Sequence, residues 1–84
     1  MDVSKLLEER GKVHGDAQTT HLCADELFQA IVEHDTGAIN GATRAMLFLI
    51  CVKIARGLAC PSHKDHWDDI QGYTELIKGI ECKE

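Results

Sequence analysis

The run Ala45-Met-Leu-Phe-Leu-Ile-Cys-Val52 limits how this chain can fold more than any other stretch. A segment that carries apolar residues nearly all round has to be covered on nearly every side. On periodicity alone a run this short fits a buried strand as well as a buried helix. Its surroundings favour helix. Residues 41–58 are rich in helix formers and continue through Lys53 and Arg56. Asn40 is a good N-cap at one end, and Pro61 stops any continuation at the other. The expectation is a central helix over 41–58, the most buried element of the molecule. The run is far short of the ~20 apolar residues that a bilayer span needs, so a soluble protein with no membrane partner is expected.

The rest of the chain offers three covers for that helix. Residues 3–10 (Val-Ser-Lys-Leu-Leu-Glu-Glu-Arg) predict a short helix capped by Asp2 and ended by Gly11. Lys12 to Asp16 contains a second glycine and no apolar period, which predicts a loop. From Ala17 to His34 the residues Leu22, Ala24, Leu27, Phe28, Ile31 and Val32 keep helical spacing, with Asp16 or a nearby threonine as cap and Asp35-Thr36-Gly37 as the closing turn. After Pro61, Ser62 and Asp65 approximate a capping box. A fourth helix follows with Trp67, Ile70, Tyr73 or Thr74, Ile77 and Ile80 on one face, and its Gly72 and Gly79 suggest close approach of a neighbour. The expected fold is all-α: one four-helix domain over residues 1–84, with the third and fourth helices as an antiparallel hairpin. Eighty-four residues barely cover so apolar a helix, so a homodimer or larger assembly is expected.

A net charge of −5 argues against general nucleic-acid binding, which needs surplus cations against phosphates. It leaves room for a small anionic ligand at one local basic spot. The four cysteines, Cys23, Cys51, Cys60 and Cys82, follow an N-terminus without a basic stub and apolar run. They read as reduced thiols of a cytoplasmic protein. Cys60-Pro-Ser-His63 has zinc-like spacing but no second pair, so no zinc is expected even with His66 nearby. His21 and His34 read as surface or capping residues.

The densest chemistry lies between Lys53 and Tyr73. An antiparallel hairpin turning between Cys60 and Pro61 sets Arg56 opposite Asp65, and Lys53 opposite Asp68 or Asp69. Asp65 and Asp69 sit one helical turn apart and could share a Mg2+ or Mn2+ ion. The same residues would serve equally as ion pairs stitching the hairpin, with acids complementing the helix dipole. Such stitching has no need of His63, His66, Trp67 and Tyr73 beside it, which favours a ligand site. Lys12 and His14, between two glycines, are a second candidate for meeting an anion, or else part of a plain connector.

Three motifs, Leu6-Leu-Glu-Glu-Arg-Gly-Lys-Val-His-Gly-Asp16, Lys53-Ile-Ala-Arg56 and His63-Lys-Asp-His-Trp-Asp-Asp-Ile-Gln-Gly-Tyr73, resemble a family of small phage and prophage proteins of unknown function. That family looks related to the MazG-like, all-α NTP pyrophosphatases. The resemblance implies a helical domain that dimerises into a four-helix core and acts in a bacterial host cytoplasm. It also implies Mg2+ held by an ExxE pair on one helix and an ExxD pair on a later one. Asp69, followed by Ile70 and Tyr73, matches the later aspartate. His66 stands where the glutamate would be, with Asp65 one residue away. For the first pair the second helix has only Asp25, Glu26 and Glu33, with Glu26 and Glu33 two turns apart. The expected function is binding of a nucleotide or other phosphorylated ligand by Lys53, Arg56, His63, His66, Trp67 and Tyr73, without efficient turnover. The alternatives are a Mg-dependent NTP pyrophosphatase and an acidic phage protein that inhibits a host defence or replication protein.

Overall fold

The computed structural model describes residues 3–14 and 16–83, without the side chains of residues 11–14. It contains four helices: α1 (Val3–His14), α2 (Ala17–His34), α3 (Gly41–Ala59) and α4 (Lys64–Glu81). No strand occurs among the described residues.

Cap chemistry fixes two of the starts. The Asp16 carboxylate accepts from the Thr19 backbone N–H and hydroxyl, both at 2.9 Å, and opens α2. The Asn40 side chain accepts from Ala42 N–H at 2.8 Å and opens α3. Between them Asp35 closes the turn, accepting from Gly37 N–H at 2.8 Å and from Arg44 Nε at 2.6 Å. Gly37 has φ +85°, a left-handed conformation that glycine adopts without a side-chain clash.

Two expected boundaries are corrected. Gly11 does not end α1, which runs on to His14, so the expected loop shrinks. One glycine costs a helix only about 1 kcal/mol, too little to stop it. Asp2, the expected cap of α1, and the side chains of Lys12 and His14 lie outside the described residues. At α4 the N-cap position is His63, without a side-chain capping bond, so Ser62 and Asp65 do not form the expected box.

α3 is the central element. α2 packs along one side of it, α4 along another, and α2 and α4 do not touch among the described residues. α1 reaches both α2 and α3. The fully buried hydrophobics are small: Ala24, Cys51 and Ala55, with Cys23, Leu27, Phe28, Ile31 and Val52 packed around them. Phe28 meets Phe48 edge to face at 5.3 Å. α4 turns His66, Ile70, Tyr73, Ile77 and Ile80 toward α3, the i, i+3/i+4 stripe of an amphipathic helix. The expectation of an all-round buried α3 holds on only part of its circumference. Phe48 and Leu49, in the middle of the apolar run, each remain 40% exposed.

Candidate functional site

The α3–α4 seam is clamped at both ends. At the open end, Asn40 N–H donates to the Glu81 carboxylate at 2.9 Å, tying the start of α3 to the end of α4. At the hairpin end, the Trp67 indole N–H donates to the Pro61 carbonyl at 2.8 Å. The same ring lies against α3 at Gly57, where an added Cβ would stand 2.7 and 2.8 Å from two indole carbons. Gly72 and Gly79, the glycines expected to admit a neighbour, have nothing within 4 Å of a built Cβ. Close approach occurs at Gly57, which sequence reasoning passed over. Its signal was a glycine inside an otherwise strong helix, ten residues before the only tryptophan.

Between the clamps lies the polar cluster. Lys53 Nζ meets Asp69 Oδ2 at 2.8 Å. The lysine hydrogen bond holds the Asp69 carboxyl below the usual carboxylate range, helped in smaller measure by the charge of Lys53 and by nearby His66. Asp68 pairs with Lys64, one turn back on its own helix, and that hydrogen bond raises the Lys64 ammonium. Asp65 lies 3.7 Å from His63 Nε2 with its side chain 78% exposed. Among the described residues no ion pair joins Arg56 to Asp65 or to another carboxylate. The Lys53–Asp69 pair sets a register one residue longer than a turn centred between Cys60 and Pro61. His66 is 1% exposed, its ring 4.7 Å from that of His63 at 59°. Tyr73 is half-buried two turns further along α4.

The four carboxylates considered for a metal are not brought together. Asp69 is engaged by Lys53, and Asp65 points outward. Glu26 and Glu33 lie exposed on α2, which does not reach α4. Among the described residues no three His, Cys, Asp or Glu side chains group closely enough to hold an ion. Two shallow hollows lie elsewhere: about 340 Å³ beside Ile70, Gln71, Thr74 and Glu75, and about 320 Å³ at the α2–α3 turn beside Ile31, Asp35, Ile39 and Leu47. Neither includes Lys53 or Arg56. The Cys51 thiol, packed in the core, is pushed up by burial first and by neighbouring Cys23 second. No described helix is long and apolar enough to cross a membrane.

The fold and seam define an all-α four-helix domain with a cation-bearing helix hairpin. The chain belongs to the family described as Domain of unknown function (DUF6378), which it matches over residues 2–81. No curated protein and no solved structure matches it.

Proposed function

We propose that this protein binds a nucleotide or another phosphorylated small molecule at the α3–α4 seam and does not turn it over efficiently. The carrying observation is the cation balance of the seam. Lys53 and Arg56 stand within one turn on α3, and only Lys53 faces a carboxylate. A guanidinium beside a neutralised lysine suits a phosphate, which it can grip with two parallel hydrogen bonds. Half-buried His63 and Tyr73 would bound such a ligand, with buried His66 packed against His63. Trp67 belongs to the same cluster, but its indole N–H is already committed to Pro61.

The likeness of the His63–Tyr73 motif to MazG-like pyrophosphatases supports a phosphorylated ligand and a phage protein acting in a bacterial cytoplasm. Binding is favoured over hydrolysis because two-metal phosphoryl chemistry needs converging carboxylates, and Asp65, Asp69, Glu26 and Glu33 stand apart. If Mg2+ or Mn2+ takes part, Asp65 and Asp69 are the residues to hold it. The proposal includes self-association, since the hydrophobics fully buried within one copy are so small.

A thermal-shift screen against nucleotides with and without Mg2+ tests the binding. A ligand at 100 times its Kd adds about 2.7 kcal/mol, a Tm rise on the order of 10 °C in a domain this small. Arg56→Gln should abolish the rise. Robust release of pyrophosphate from nucleoside triphosphates, lost in Asp69→Ala, would replace binding with catalysis.

A further inference from the structure

We propose that the uncovered face of α3 is the self-association surface, and that a second copy lies on it antiparallel, with Leu49 against Val52 and Arg56 against Ala45. This inference rests on the self-association proposed above and shares Arg56 with the proposed ligand site, so its test reads oligomeric state and not ligand binding.

The face is a row at strict three-four spacing: Ala42, Ala45, Leu49, Val52, Arg56 and Ala59. That is the a/d pattern by which two helices pack along a seam. Ala42, Ala45, Leu49 and Ala59 are exposed, Arg56 is half-buried, and Val52 borders the face with part of its side chain packed on the Ala24–Cys51–Ala55 core. The row is not an isolated stripe, because both flanking helices extend it. Phe28 packs on Phe48, and one turn beyond Phe28 stands exposed Val32. Asp69 reaches Lys53 on the other flank, and two turns beyond Asp69 stands exposed Leu76. Val32 and Leu76 thus flank the stretch of α3 that holds Ala42 and Ala45. The result is a surface of apolar and small side chains continuous across three helices.

The occupant is specified by the row itself. Its spacing reads the same in both directions, so a twofold axis between Leu49 and Val52 maps the row onto itself. Antiparallel, that operation pairs Leu49 with Val52 and Ala42 with Ala59 of the second copy, and lays the Arg56 stem over Ala45. The guanidinium then reaches the edge of the contact, at the end of α3 where the Glu81 carboxylate sits on Asn40 N–H. A parallel pairing would instead stack Arg56 on Arg56, like charges in a partly dry seam. An isologous contact of this kind closes on itself as a dimer. It also supplies what one copy lacks, since among the described residues the largest side chain buried to under 2% exposure is a histidine.

Sedimentation equilibrium of the full chain, with far-UV circular dichroism to follow helicity, tests the surface. The wild type should be a dimer. Leu49→Arg should shift it to monomer with its helices intact. Ala45 is exposed, so its variants report on the contact even if Leu49→Arg misfolds. Ala45→Arg should weaken the dimer about tenfold or more by facing Arg56 of the second copy. Adding Arg56→Glu to Ala45→Arg should restore it. A wild type that is monomeric at every concentration overturns self-association, and this surface with it, while leaving ligand binding standing. A dimer that Leu49→Arg does not disturb overturns the surface alone. A dimer weakened by Ala45→Arg and not restored by Arg56→Glu overturns the antiparallel register.

Discussion

At position 57 two physical effects compete. Alanine has the better helix propensity by about 1 kcal/mol, so on local grounds Gly57→Ala should stabilise α3. The Trp67 ring leaves no room for it, with indole carbons 2.7 and 2.8 Å from where the methyl would begin. The indole is also tied by its N–H to the Pro61 carbonyl, so it cannot swing aside without losing that bond. Overpacking of this kind costs typically 1–3 kcal/mol, and it should win. Gly57→Ala is expected to lower stability by up to about 2 kcal/mol net in urea unfolding. Tryptophan emission should shift as the single indole leaves its seat. An equal or higher midpoint would mean that the ring yields freely. The same contact corrects the expectation that Trp67 is free to bind a ligand. From the sequence, a tryptophan beside two histidines and three acids looks like a binding surface, and nothing local reveals that its ring is spent on a glycine across the hairpin.

Among the elements, the α3–α4 seam carries the strongest electrostatic prediction. Lys53 depresses the Asp69 carboxyl below its ordinary value, and Gly37 N–H with Arg44 does the same to Asp35. A carboxyl depressed in the folded state stabilises it above the ordinary pKa, and that contribution disappears as pH falls through the lowered value. Thermal stability should therefore be level through neutrality and decline below about pH 4. Asp69→Asn should make the acid decline shallower without removing it, because Asp35 and Asp16 remain. An unchanged acid limb in Asp69→Asn would mean that the Lys53 pair contributes nothing to the folded state. The pairing of Lys53 with the 68–69 region was legible because a proline-stopped hairpin fixes which residues face each other to within one position. That one position left Asp65 exposed and His66 buried, since successive residues on a helix point about 100° apart.

For the whole molecule, the central fact is that α3 has neighbours on only part of its circumference. Among the described residues one copy buries only small hydrophobics fully, while Leu49, Phe48, Val32 and Leu76 remain accessible. If the folded chain is completed by a second copy, its stability depends on protein concentration by mass action. Tm should fall steadily as the wild type is diluted a hundredfold and stay constant in Leu49→Arg. A constant wild-type Tm would mean that one copy is stable as it stands.

The sequence by itself determined the all-α class, the four helices and most of their limits. Those are set by contacts within four residues: the Asp16 and Asn40 caps, the left-handed Gly37 and the arrest at Pro61. It misjudged Gly11 and Ser62 because a single local preference is worth only about a kilocalorie and the rest of the helix outweighs it. Tertiary structure alone decided which glycine is closely approached, which cation lacks a carboxylate, and that the candidate acids stand apart on helices that do not meet. Those outcomes turn on helix register and on which sides of α3 are occupied. An apolar run states that a helix wants cover all round, and only the packing settles where that cover is missing.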